Sequence, residues 1–137
     1  MKEKPPVTRS AMIHHSTRGE APDLGFSDAL LAGLARDGGL YWPHAFPSLK
    51  SSEIADLAGR PYAEIADRII GLYADDVAPD QLSKMIHDAY ATFRHPSVCP
   101  LVEIDTNLFV LELFRGPTLA FKDVAMQLLG RLMDHVL

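Results

Sequence analysis

The sequence predicts an α/β chain: a mainly helical N-terminal domain with a short β element, then two strands and an amphipathic helix that carries a lysine. Three observations predict it. Three stretches between Ser52 and Phe93 repeat apolar residues at the helical period, and two of them open with proline. Two apolar runs, residues 101–105 and 108–113, are separated only by the turn-capable pair Thr106-Asn107. The second run then passes through Gly116-Pro117 into a last amphipathic pattern that begins around Lys122.

Taken in order, residues 13–17 and 39–43 read as short strands able to pair. Between them a helix is expected with Ser27 as N-cap and with Phe26 and Leu31 at the spacing of a hydrophobic staple. Leu30, Leu31 and Leu34 mark its expected buried side, and Gly38 is expected to stop it in the left-handed conformation. Pro43 and Pro47 predict a loop. A short helix follows over residues 52–58. The next opens at Pro61 and places Tyr62, Ile65, Ala66, Ile69 and Tyr73 on one face, and the third opens at Pro79 with Leu82, Met85, Ile86, Ala89 and Tyr90. Proline at the first helical position sacrifices no hydrogen bond, since that N–H has no partner inside the helix. After the break at His95-Pro96, the two apolar runs predict a hairpin. The last pattern, Phe121, Val124, Ala125, Leu128, Leu129 and Leu132, predicts a helix that packs on a sheet. It reaches the final residue without a stop signal, so the sequence is expected to be part of a longer chain.

A chain of 137 residues with 47% hydrophobic residues can bury one ordinary core. Its net charge of −5 offers no basic footprint, which argues against nucleic acid as a partner. No run approaches the roughly 18 apolar residues needed to cross a bilayer. Residues 1–11 are polar, lack the apolar stretch of a secretory signal and are expected to form a mobile tail, which leaves the cytoplasm as the expected compartment. The single cysteine, Cys99, has no partner for an internal disulfide and reads as a buried structural thiol. His14 and His15 would point to opposite faces of a strand, and His44, His87, His95 and His135 are scattered, so no metal site is expected. Ser16 and Ser27 lack the motif that surrounds a nucleophilic serine. No glycine-rich phosphate loop occurs.

The chemistry-bearing candidate is Lys122. A primary amine at a helix start lies in the positive end of the macrodipole, which disfavours the ammonium form, and the neutral amine is the form that attacks an aldehyde. The run Gly116-Pro117-Thr118-Leu119-Ala120-Phe121-Lys122-Asp123-Val124-Ala125-Met126-Gln127 resembles the cofactor-lysine segment of threonine synthases, pyridoxal-phosphate enzymes of the tryptophan-synthase-β structural group. Ser16-Thr17-Arg18-Gly19 and the stretch from Gly25 to Tyr41 are similar to that family's N-terminal signature. The resemblance covers residues 13–137, the opening portion of a longer enzyme.

The resemblance implies the family's N-terminal domain over residues 12–95, after the tail expected over 1–11, and over 96–137 the first strands and lysine-bearing helix of a PLP-dependent α/β catalytic domain. It implies conversion of O-phospho-L-homoserine and water to L-threonine and phosphate, with Lys122 as catalytic and cofactor-binding residue. Arg18, Arg115 and Thr118 are candidate substrate-binding residues. Arg115 stands where the family usually has histidine, so no family role carries to that side chain, and Thr118 also fits an N-cap for the lysine helix. The phosphate cradle is expected in later sequence, and these 137 residues alone are expected to be inactive. Two alternatives stand beside this reading: a phospho-lyase of the same family with a different product, and a non-catalytic helical interaction module.

Overall fold

The structure is a computed structural model that describes residues 11–137. The tail expected over residues 1–11 therefore lies, apart from Ala11, outside the described residues. The two short strands pair as the sequence predicts: β1 (His14–Ser16) runs antiparallel to β2 (Tyr41–Pro43), with His15 opposite Trp42. Leu24 extends this pairing by exchanging backbone hydrogen bonds with His14 at 2.8 and 2.9 Å.

The helix between them, α1 (Phe26–Ala32), departs from expectation at both ends. Gly25 holds the N-cap position rather than Ser27. Ser27 lies inside the first turn and donates its backbone N–H and its hydroxyl to the Asp76 carboxylate, at 2.9 and 3.0 Å. An acid 49 residues away thus fills the role that a local side chain was expected to fill. The helix ends at Gly33, with φ 64°, and Gly38 serves a later tight turn. Because the helix stops there, Leu34 falls outside it and is 65% exposed, and Leu31 is 40% exposed. Phe26 and Leu30 are the residues of α1 that pack on the core.

The core lies among α3 (Tyr62–Ile70), α4 (Pro79–Tyr90) and α5 (Asp123–Val136), with α2 (Ser51–Ala55) outside it. α2 is shorter than the expected 52–58, and Glu53 accepts a 2.9 Å bond from the Lys50 N–H at its start. α4 begins at Pro79 as predicted and buries Leu82, Ile86, Ala89 and Tyr90, positions spaced by four, three and one. Ile86 is fully buried and contributes about 1.5–3 kcal/mol by leaving water. Tyr62 and Tyr90 meet edge to face at 4.8 Å, and burial pushes the Tyr90 phenol well above its ordinary value.

The predicted hairpin forms from β3 (Leu101–Asp105) and β4 (Leu108–Leu111), β4 ending two residues early. Asn107 takes the left-handed φ of 57° that the tight turn needs, and the register slips between Glu103 and Asp105. Every residue of both strands is exposed, including Leu101, Ile104, Leu108 and Phe109. α5 packs on α4 and α1 rather than on a sheet, and its Leu128 and Leu132 join the same core as Ile86. Phe121, Met126 and Leu137, which extend the apolar stripe, are exposed. Cys99 is half-buried against that core, and burial raises its thiol above the ordinary 9.0. No helix among the described residues is long and apolar enough to cross a membrane.

Candidate active site

The chain leaves β4 extended and is tied down on both sides before it turns. The Glu112 N–H donates to the Pro100 carbonyl at 2.9 Å, and the Arg94 N–H donates to the Arg115 carbonyl at 2.8 Å. The turn itself spans Gly116 to Leu119, closed by the Leu119 N–H on the Gly116 carbonyl at 3.2 Å. Leu119 has φ 63°, a left-handed backbone that a branched side chain adopts only where surrounding structure compels it. Lys122 follows as the N-cap residue of α5, with helical φ and ψ of −61° and −24°. Its carbonyl accepts the N–H groups of Ala125 and Met126, at 3.1 and 2.8 Å. Its side chain is exposed and makes no hydrogen bond or ion pair among the described residues.

What compels the turn is Asp123, the first residue of α5, which is 3% exposed. Its carboxylate accepts the Thr118 N–H and the Thr118 hydroxyl, each at 2.8 Å, and a longer bond from the Gln127 amide at 3.5 Å. Burial raises the Asp123 carboxyl, but these donors outweigh it and hold the group below its ordinary 3.8. Thr118 is therefore not the N-cap that the sequence predicts: its hydroxyl donates to an acid instead of accepting from a backbone N–H. A negative carboxylate at this position also offsets the macrodipole field at Lys122. Gly116 completes the arrangement. A Cβ at that position would stand 2.4 Å from both Cβ and Oδ2 of Asp123, so only glycine lets the two segments approach this closely.

The other candidate residues are engaged elsewhere. The Arg115 guanidinium donates to the Glu112 carboxylate from Nε at 2.8 Å and also from Nη2, and its Cζ lies 5.1 Å from the centre of the Phe114 ring. Arg18 is exposed and donates from Nη1 to the Asp37 carbonyl at 2.9 Å. Among the described residues no hydrogen bond or ion pair joins Arg18 to the segment around Lys122. Arg18 belongs to a knot at the end of the β1–β2 pair. There the Asp37 carboxylate accepts the Ser16 hydroxyl at 2.8 Å, the Gly39 N–H at 2.8 Å and the Glu20 N–H at 3.0 Å. Burial raises the Asp37 carboxyl, yet these three donors bring it below 3.8. A Cβ at Gly39 would fall 2.2 Å from the Ser16 hydroxyl, so this glycine too is fixed by close approach.

Threonine synthase N terminus is the family whose sequence profile matches residues 13–90, more than half of the chain. The chain belongs to the threonine synthase family. It is 52% identical over 127 residues to threonine synthase of Pseudomonas aeruginosa and 43% identical over 130 residues to that of Schizosaccharomyces pombe. These matches take in 92% and 93% of the chain but 27% and 25% of the relatives, so the chain spans about a quarter of their length. Among solved structures, the PLP-bound threonine synthase from Brucella melitensis superposes with a TM-score of 0.90 at 57% identity, covering 92% of this chain and 27% of that one. The profile match contains the Ser16–Asp37 knot, and the two family-like motifs of the N-terminal portion are thereby explained as one structural unit.

Reading the sequence missed the three carboxylates that organise these regions, Asp37, Asp76 and Asp123. Asp37 was legible, since Asp-Gly-Gly is the pattern of an acid that accepts the N–H two residues on. Asp123 carried a weaker signal: a threonine five residues before a helix-start acid has no standard capping register. Asp76 had none, because its partner is remote in sequence.

Proposed function

We propose that the full-length parent of this chain converts O-phospho-L-homoserine and water to L-threonine and inorganic phosphate, using pyridoxal phosphate held by Lys122. The observation that carries this reading is the Lys122 amine: exposed and unpaired among the described residues, at the end of a turn locked by Thr118 and Asp123. An aldehyde-bearing cofactor requires such an amine, and the residues present fit it. Bound pyridoxal phosphate supplies an electron sink, which allows protons to be removed from carbons that would otherwise hold them.

Lys122 would have two tasks at Nζ: to hold the cofactor through its amine and, when that amine is free, to carry protons. Gly116, Thr118 and Asp123 keep its backbone in place. Arg18 is the better of the two arginine candidates for the substrate phosphate, because Arg115 is already matched by Glu112. The phosphate cradle for the cofactor is assigned to later sequence of the parent. In this reading residues 12–95 form the N-terminal domain, residues 96–137 open the PLP-dependent catalytic domain, and the enzyme works in the cytoplasm.

Borohydride reduction of the full-length protein followed by peptide mapping tests the assignment. The pyridoxyl label is expected on Lys122. Label on Lys50 or Lys84 in place of Lys122 rejects it.

A further inference from the structure

Residues 119–122 form a closed loop of four residues, because the residues on either side of it, Thr118 and Asp123, are bonded to each other twice. The closure is buried, Asp123 being 3% exposed, and the approach is too close to admit any side chain at position 116. Within the loop Leu119 is held at φ 63°. Lys122, its last residue, has no side-chain partner of its own among the described residues. The direction in which the Lys122 side chain leaves the backbone is therefore set by the loop and not by contacts of the amine.

We propose that Asp123 is a positioning residue for Lys122: its carboxylate latches Thr118 across the loop and so fixes the point and direction from which the Lys122 side chain departs. This deepens the reading of Lys122 as the cofactor-bearing residue and rests on it. The latch has two parts that can be removed separately. Thr118→Val keeps the branched shape and the backbone N–H but loses the hydroxyl donor, whereas Asp123→Asn keeps the shape but loses the charge that both Thr118 donors address. Thr118→Ser keeps the hydroxyl and serves as the rescue.

The test uses the full-length protein freed of cofactor. It is mixed with pyridoxal phosphate, reduced with borohydride at timed intervals, and mapped for label at Lys122, Lys50 and Lys84, with the thermal midpoint of each cofactor-free variant measured alongside. Misplacing a reacting group by about 1 Å lowers reactivity by up to about a hundredfold. Thr118→Val and Asp123→Asn are expected to slow labelling at Lys122 by roughly tenfold or more. Labelling of Lys50 and Lys84 should stay unchanged, and Thr118→Ser should label as the parent does. Equal Lys122 labelling in parent and variants overturns the latch while leaving the cofactor assignment intact. Parent label that favours Lys50 or Lys84 over Lys122 rejects the assignment and the latch together. Slower labelling at all three lysines with a lowered thermal midpoint also overturns the proposal, because it marks general loosening instead of positioning.

Discussion

Gly116→Ala is the substitution from which the geometry makes the sharpest demand. The added methyl would stand 2.4 Å from Asp123 Cβ and Oδ2 and 2.7 Å from its Cγ. Carbon contacts settle at about 3.5 Å, so something must move by about 1 Å. Asp123 cannot yield readily, since it is buried, sits in the first turn of α5 and is bonded to Thr118. The turn from Gly116 to Leu119 must therefore shift, which strains the loop that ends at Lys122. Overpacking of this kind costs about 1–3 kcal/mol. A displacement of about 1 Å at the reacting amine lowers turnover on the order of 10²-fold. Chemical denaturation and phosphate release by the full-length enzyme measure the two effects separately. An alanine variant with the parent's denaturation midpoint and turnover would refute the reasoning, because it would show that the contact around Asp123 relaxes without cost.

Ile86→Ala removes a fully buried side chain from the junction of α3, α4 and α5 and should destabilise the protein by about 2–5 kcal/mol, read as a lowered denaturation midpoint. Asp37 has its folded pKa depressed below 3.8, so its contribution is complete above that pH and disappears as pH falls through the lower folded value. Asp37→Asn should accordingly lower stability at pH 7 and flatten the stability profile below pH 3.8, a difference that acid titration of parent and variant would reveal. The Cys99 thiol, raised above 9.0 by burial, should react with iodoacetamide at pH 8 more slowly in the native protein than in urea; equal rates would show that it is not shielded.

What was legible in the sequence is what local pattern encodes. The three core helices follow from apolar spacing, helped in α3 by Pro61 at the N-cap and in α4 by Pro79 at the first position, and the hairpin from two apolar runs around Thr106-Asn107. The pairing of β1 with β2 was equally clear. The errors share one cause, dependence on a partner elsewhere. Ser27 looked like a cap because serine usually accepts at that position, yet here it donates to Asp76. Gly33 and Gly38 both take positive φ, and periodicity alone did not show which one ended α1. Of the candidate site, Lys122 was singled out by its motif, whereas the Thr118–Asp123 pairing beside it depends on Thr118 acting as donor, and spacing does not reveal that.

The loop between α3 and α4 offers two adjacent acids to the N-terminal segment. Asp75 accepts the Met12 N–H at 2.7 Å, while Asp76 takes the first turn of α1. A seven-residue helix is too short to persist by itself, and this one completes its start only when a segment about fifty residues later is already folded. α1 thus opens whenever that loop does and, having no fully buried residue of its own, can also open alone. Its backbone amides should exchange with solvent deuterium faster than those of α3 and α4, so that α1 reports local opening at the edge of the helical layer.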